Sequence, residues 1–589
     1  MSPMNISRGR VWVLAWSLVL VALVAGACGG DSGDTGSGTG AADAADAADQ
    51  SEAVTSTTAT PEVEGAQRGG SLTVALEAET NSWRPGQGSF TSPGVNVGRA
   101  LYDGIAARGA DGDVHPLMAE SIVPNEDLTE WTVTLRPGIT FTDGTPLDAQ
   151  NQKATFDTYL ASEGSNLAGN LAQVAELRVD DELTYTYVLT EGNAAFLDLL
   201  AGTAGWPFSF AACQAAGDDC GSQPVGAGPF QLDSWTRDDR MVLVRNESYW
   251  RTDANGVQLP YLDQIEFRPI ADEDARLATV RAGDAQVGQT LRPSLVRQAR
   301  EATELESFEA IGNVGGGVIF NTLVPPVDDQ RVRLGLAHAL VQEDLVDILG
   351  ATGLAPPQTQ WFSPSSPWFS ETVEEAWPTY EPDTAATLLQ AYIDDPARSD
   401  GKAPGSPISV TFSCPPDPSL VELSLAYQAF WSAVGVEVQL LQIEQAPHVA
   451  NAIGSPDTDP PFLGDYMINC WRNGSAADPY TTLATAFGPV ATEPQNFTNY
   501  TSANIDDNLT VLRTSTDVDE RYAAVESIML ELTEQVPNLW TNGTPTALYA
   551  RPDVRNLAGW TIPTADGDEI VGSGVLNAEI YWAEVWLDQ

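Results

Sequence analysis

An α/β protein of more than one lobe is predicted by three features of this sequence. Period-two strand signals crowd the first half of the chain, and helical periodicity alternates with short strand signals after residue 320. Once a polar N-terminal tract is set aside, most of the 589 residues remain, too many for one core.

The N-terminus carries a secretory pattern. Arg8 and Arg10 precede an apolar run from Val11 to Ala27 broken only by Ser17, and Ala25, Gly26 and Ala27 form a small-residue box directly before Cys28. A membrane-spanning helix needs roughly 20 apolar residues and does not stop at such a box. Residues 1–27 therefore read as a signal peptide. The box resembles a bacterial lipobox, with Ala25 where a large aliphatic residue is usual, so Cys28 is the expected lipidation site. Residues 28–69 are rich in Gly, Ser, Thr, Ala and Asp, with an Ala-Ala-Asp repeat from Ala41 to Asp49. They have too little to bury to offset the entropy of ordering, and read as a flexible acidic tether.

In the folded region, Leu72, Val74 and Leu76 alternate with Ser71, Thr73 and Ala75 as in a half-buried strand. Trp131, Val133 and Leu135 alternate, Pro137-Gly138 turns the chain, and Ile139 and Phe141 alternate again before Asp143-Gly144, which predicts a hairpin. Helix formers fill Asp148 to Leu160, and period two returns at Leu183, Tyr185, Tyr187 and Leu189. Beyond Gly226-Ala227-Gly228-Pro229-Phe230 come strands at Met241 to Val244 and at Ile265, Phe267 and Pro269. Ala275, Leu277, Ala278 and Val280 mark a helix ending near Gly283. Asp329 is placed to cap a helix carrying Val332, Leu336, Ala339 and Leu340. Val421 to Val434 and Glu520 to Glu534 read as helices. Ile408 to Phe412, Val436 to Leu441 and Tyr466 to Ile468 read as strands, and Glu579 to Trp586 as a last strand-like segment returning to the first lobe.

Charge and motifs narrow the function. Asp and Glu number 81 against 28 Lys and Arg, a formal charge of −53, which argues against nucleic acid or anionic lipid as a partner. Only the lipid on Cys28 is expected to touch the membrane. A surface this acidic repels itself at low ionic strength and is relieved by screening, which suits a saline habitat. No Gly-x-Ser-x-Gly elbow, phosphate-binding loop or His-Glu-x-x-His is present, and among so many acids a carboxylate pair arises by chance. His115, His338 and His448 are too scattered to build a metal site, and His338 reads as a packed helix residue. No enzyme activity, metal or cofactor is expected. The folded region shows no repeats, which disfavours an adhesion scaffold.

Four cysteines remain in an oxidising compartment, with three pairings open. Cys213 and Cys220 are close enough to close a small loop. Cys414 and Cys470 each end a strand-like run and would lie on neighbouring strands, the favoured pairing.

A series of sequence blocks in order carries a family resemblance. Tyr102-Asp103-Gly104, Pro116 through Ser121, Trp131 through Ile139 and Phe141 through Leu147 resemble the dipeptide/oligopeptide/nickel class of bacterial extracellular solute-binding proteins, family 5. Gly226 through Phe230, Arg245-Asn246 with Tyr249-Trp250, and Leu259 through Asp263 are similar to its next blocks. Phe320-Asn321-Thr322, Asp329 with Arg331-Val332-Arg333, Asp478-Pro479, and Ile505-Asp506 before Arg521 are similar to its C-terminal half. The resemblance implies a periplasmic-binding-protein-like α/β fold of class II, cluster C, with three lobes around a central ligand cleft. Lobe I would comprise 70–106, 226–319 and 536–589, lobe II 107–225, and lobe III 320–535. It further implies a monomer on the outer face of the cytoplasmic membrane that closes on a small-molecule or peptide-like solute and presents it to the permease subunits of an ABC importer.

Ligand contacts are expected from irregular segments at the cleft: Asn81, Trp83 and Arg84, Asn321 at a lobe crossover, and Asn469, Trp471, Arg472, Asn473 and Ser475. Peptide-binding members hold the ligand's α-ammonium with a carboxylate three residues before an acid-proline pair. Here that pair is Asp478-Pro479 and the position is Ser475, with Arg472 adding positive charge nearby. A hydroxyl there loses the charge-assisted bond. The expected ligand is therefore a polar or anionic organic solute, with Asp465 and Asp478 as the alternatives that would restore the charge.

Mass spectrometry of the mature N-terminus is expected to find cleavage between Ala27 and Cys28 and a lipid-sized adduct on Cys28. A mature chain still carrying Met1 would remove the assignment.

Overall fold

Apolar alternation along the chain resolves into two principal sheets in the structure, a computed structural model. It describes residues 64–588 apart from 89, 162–166, 168–170, 365, 417, 455–457, 459–462, 473–477, 491–494 and 576–578; the side chains of 311–316, 418, 419, 445, 446, 472, 542 and 544 are also left aside. The signal peptide, Cys28 and most of the tether lie outside these residues, as do Asn473, Ser475 and the Arg472 side chain.

In chain order the strands begin with β1 (Ser71–Leu76), β2 (Ala106–Arg108), β3 (Val114–Pro116), β4 (Ala119–Pro124), β5 (Glu130–Leu135), β6 (Val174–Val179), β7 (Thr184–Leu189) and β8 (Phe230–Thr236). They continue with β9 (Arg240–Arg245), β10 (Gln264–Pro269), β11 (Val287–Thr290), β12 (Glu306–Phe320), β13 (Ser409–Cys414), β14 (Glu437–Gln442), β15 (Ile468–Arg472) and β16 (Asn538–Ala550). One sheet of ten runs β14-β13-β15-β12-β16-β11-β1-β10-β9-β8, and β4-β5-β7-β6 form a separate sheet of four. Long antiparallel β12 and β16 pair from Glu306 opposite Ala550 to Ile319 opposite Asn538, and so belong to both halves of the large sheet.

Each half has its own core. Leu72, Val74, Val133, Tyr185, Phe267 and Trp582 belong to one buried cluster, and Val318, Phe320, Leu336, Phe412, Trp431 and Trp540 to another. Each such side chain contributes about 1.5–3 kcal/mol on leaving water. Helix starts follow the sequence chemistry. Asp329 accepts from Arg331 N at 2.9 Å ahead of Gln330–His338, and Asp272 from Ala275 N at 2.8 Å ahead of Glu273–Ala282. That second helix ends at Gly283 with φ +85°, a conformation glycine adopts without strain. Among the described residues no helix is long and apolar enough to cross a membrane.

Both disulfides form as favoured, Cys213 to Cys220 and Cys414 to Cys470. Parallel β13 and β15 pair Phe412 with Ile468 and Ser413 with Asn469, which brings the second pair of cysteines side by side. Strand β15 itself begins at Ile468, where the predicted run ends.

Two predicted elements differ. Ile139 and Phe141 make no strand; Thr140 and Pro146 form an isolated bridge, and β5 pairs instead with β4 and β7. The residues 139–147 close a loop through Phe141 N to Thr145 O (2.8 Å) and Leu147 N to Ile139 O (3.0 Å). Ile139, Phe141 and Leu147 all enter the core, so the alternation recorded the burial of a loop. Likewise Glu579 to Trp586 is largely irregular, with only Trp586–Leu587 pairing to Val554–Arg555. Asn96 holds this segment, accepting from Ile580 N at 2.9 Å through its side chain and from Trp582 Nε1 at 2.7 Å through its carbonyl.

A buried ion pair ties the C-terminal segment down. Arg251 Nη2 lies 2.6 Å from Glu584 Oε1 and also donates to Thr561 O at 2.9 Å. Burial would lower the Arg251 pKa, but Glu584, Tyr249 and Asp103 reverse this and hold it above its ordinary value. Arg251→Met leaves a buried carboxylate and is expected to cost about 3–5 kcal/mol in denaturant unfolding, most of it regained in Arg251→Met/Glu584→Leu.

Candidate functional site

Strand β15 sorts its side chains by pleat. Cys470 points into the second core, so Asn469 and Trp471 take the opposite face. On that face Trp471 packs with Ile319, Ala452, Tyr466 and Phe497. The Phe497 ring meets Trp471 edge-on at 4.5 Å between centroids, and the His448 ring lies over it at 6.3 Å with 20° between planes. Gly317 stands opposite Trp471 on β12, and a Cβ there would come within 2.2 Å of Leu539 O, so only glycine lets the neighbouring strand pass.

His448 is buried and its Nε2 lies 3.1 Å from the carbonyl oxygen of Cys470, to which it donates. Burial pushes the imidazole pKa below its ordinary value, only partly offset by that bond. This face therefore offers rings and a neutral imidazole.

The polar groups around it are largely committed. Asn321 is fully buried and donates to Gly464 O and Tyr466 O, both at 3.2 Å, while its Oδ1 accepts from Asn499 Nδ2 at 3.2 Å. Asn469 Oδ1 accepts from Ser413 Oγ at 3.3 Å. Asp478 caps helix Pro479–Phe487 through Tyr480 N and forms an ion pair with Arg521, which lies over Trp368. Asp465 is exposed.

The other expected contacts lie in the first half. Trp83 is buried, edge-on to Phe90 and Trp235, and its indole N–H has no partner among the described residues. Arg84 lines a small pocket with Tyr102, Ser209, Gln223 and the Cys213–Cys220 disulfide. Asn81 is exposed, and its carbonyl accepts from Arg237 Nη2 at 3.3 Å. The structure thus groups Asn321, Asn469 and Trp471 around one crossover and puts Trp83 and Arg84 together elsewhere.

The two halves also touch through Arg513, at the end of helix Ala503–Thr514. Ala194 N donates to its carbonyl at 2.7 Å, its Nη1 donates to Gly192 O at 3.2 Å, and it forms an ion pair with Glu191. Sequence reasoning missed His448, Phe497 and Arg513. For His448 a signal existed, since it stands four residues before Ala452 in a helical stretch and so shares its face.

Among the described residues no group of three His, Cys, Asp or Glu side chains is arranged to hold a metal ion.

The family described as bacterial extracellular solute-binding proteins, family 5 Middle, matches residues 113–506. The glutathione-binding protein GsiB of Salmonella paratyphi A is 24% identical over 454 residues, covering 75% of this chain and 83% of that protein. In fold, the chain is similar to periplasmic binding protein DppA from Helicobacter pylori in complex with the peptide STSA: TM-score 0.72, 18% identity, 89% of this chain and 99% of that one. It is also similar to NikA from Brucella suis in complex with Fe(III)-EDTA: TM-score 0.71, 19% identity, 88% and 100%.

With three histidines in the chain, proton NMR resolves His448 readily. Its folded pKa is expected below the unfolded value of about 6.5. Between those two values the unfolded state binds the extra proton, so stability falls as pH drops through the window. His448→Gln should flatten this part of the stability profile by comparison with wild type.

Proposed function

The chain belongs to the bacterial extracellular solute-binding proteins, family 5, and from that membership we propose that it is the lipid-anchored capture protein of an ABC importer for a polar, anionic, peptide-like solute. In this reading Cys28 holds the protein on the outer side of the cytoplasmic membrane, and the tether lets the folded part reach the permease. The lobes follow the boundaries stated above: lobe I as 70–106, 226–319 and 536–589, lobe II as 107–225 and lobe III as 320–535. The β12–β16 pair is the hinge, and the Arg513 contacts to Glu191, Gly192 and Ala194 hold lobes II and III together when closed.

The ligand class rests on one observation, the commitment of Asp478. Its carboxylate is taken by Arg521 and by the helix cap, so it is poorly placed to receive an ammonium. Asp465, exposed, is solvated and would hold a charge weakly. With Ser475 at the third position before Asp478, a hydroxyl stands where peptide-binding members place the carboxylate that receives a free peptide N-terminus. Trp471 supplies an apolar face, and Arg472 and Asn473 supply donors. The relatives named for glutathione suggest a first probe, since glutathione is peptide-like and anionic and carries its amine beside its own carboxylate.

Calorimetry is expected to detect glutathione, or N-acetylated short peptides, in preference to the same peptides with free N-termini. Solution scattering should register a smaller radius of gyration that saturates with binding. Sub-micromolar affinity that requires a free peptide amine would overturn the ligand class, and tight binding with an unchanged scattering profile would overturn the hinge.

A further inference from the structure

Strands β12 and β16 lose register where the two halves of the sheet meet. Gly317 faces Trp540 and Gly315 faces Gly543, so Gly316 alone stands against Thr541 and Asn542. This is a bulge, a device that releases backbone groups from the ladder and recurs beside functional sites. The carbonyl of Thr541 turns out of the ladder to accept from Gln358 N at 3.2 Å. Gln342 Nε2 fastens the same segment, donating to Gln358 O at 2.7 Å and to Trp540 O at 3.2 Å. Just upstream, Leu354 packs with Val296 and with Ala547 of β16, so the segment lies along the boundary between the halves.

The backbone of Gln358 is therefore pinned, but its side chain is not. Gln358 is 2% exposed, and among the described residues neither Nε2 nor Oε1 has a hydrogen-bond partner. Among the described residues it is the one buried side-chain amide with donor and acceptor both unmatched. Burying an unmatched amide is costly, and native folds rarely leave one without a reason. Gln360, two residues on, shows the usual solution. At 1% exposure it donates to Ser370 O at 2.8 Å and accepts from Ser370 N at 3.1 Å. Two glutamines of one segment, equally buried, are thus treated in opposite ways.

Resting on the solute-binding reading, we propose that Gln358 is a specificity-determining residue that reads an amide of the ligand. A group matching both Nε2 and Oε1 must offer an acceptor and a donor side by side, as a carboxamide does, or as the N–H and C=O of one residue do in an extended peptide. A carboxylate offers only acceptors and an ammonium only donors. Closure at the bulge brings the solute's amide to Gln358, and the fold leaves the residue unpaired so that binding, not folding, satisfies it.

The test is Gln358→Met, which keeps length and volume and removes both polar atoms. Thermal unfolding of the ligand-free variant and calorimetry with glutathione and with an N-acetylated tripeptide are read together. The expected result is a ligand-free protein at least as stable as wild type, with affinity for the bound probe lower by on the order of tenfold. A destabilised ligand-free variant would mark Gln358 as structural and overturn the proposal. Equal affinity of variant and wild type would overturn it while leaving the solute-binding reading in place. If wild type bound neither probe and did not contract in scattering, the ligand reading would fall and this inference with it.

Discussion

The β12–β16 pair is the constraint on which the rest of the structure depends. These two strands alone are long enough to serve both cores, one built on β1 and its neighbours and the other on β13 and β15. Packed cores resist deformation, so any change of angle between the halves falls on the segment that belongs to neither. There β12 reads Gly-Asn-Val-Gly-Gly-Gly from Gly312 to Gly317, and its register to β16 shifts twice. Glycine gives the backbone room at small steric cost, and at Gly317 the passing Leu539 carbonyl leaves no space for anything larger. The same irregularity that loosens the ladder frees the Thr541 carbonyl and positions the Gln358 segment.

Scarce bases serve the interior of this acidic chain. Arg333 donates to Val327 O, Asp328 O and Gln535 O, each at 2.9 Å, and burial lowers its pKa to about 10. Fully buried Arg276 donates to Gln289 O at 2.6 Å. Arg251 joins the buried Asp103, Tyr249 and Glu584 network, in which burial raises the Asp103 pKa against the pull of Arg251 and the hydrogen bonds from Tyr249 and Trp250. A guanidinium can satisfy several carbonyls at once, which suits it to tying loops to strands. Arg276 and Arg333 are withdrawn from the surface in this way, whereas Arg251 takes Asp103 and Glu584 into the interior with it.

Legibility followed the range of the interaction. Strands β1, β5 and β7 were readable because every second residue enters a core, and the Asp329 cap because capping acts over two or three residues. The Cys414–Cys470 bond was readable because two strand ends implied neighbouring strands. Period two misled at Ile139 and Phe141, since a tight loop can bury alternate residues without a ladder. It misled again at Glu579 to Trp586, where Asn96, nearly 500 residues away in sequence, supplies the partners a strand would have supplied. At the candidate site Trp471 is an expectation drawn from its spacing to Asp478-Pro479, and the structure packs it against Ile319, Ala452, Tyr466 and Phe497. His448 carried only the helical spacing to Ala452 and Phe497 carried no signal, because each reaches Trp471 from a different segment of the chain.

The proposal of an anionic solute for a strongly negative protein raises an electrostatic objection, and range again answers it. At physiological ionic strength exposed charges are screened beyond about 8 Å, so the net −53 acts mainly as a weak long-range field. At close range the nearest groups decide, and two acids of the described residues are already matched: Asp478 by Arg521, and Asp198 by Arg108. Burial lowers the Arg108 pKa, while Asp478 is among the charges that pull it back up. The long-range field slows encounter of a like-charged solute at low salt, whereas in the proposed reading the bound state depends on aromatic contact with Trp471 and on whichever donors and acceptors folding has left unmatched. Selectivity in such a site is set less by total charge than by which polar groups the fold has already satisfied.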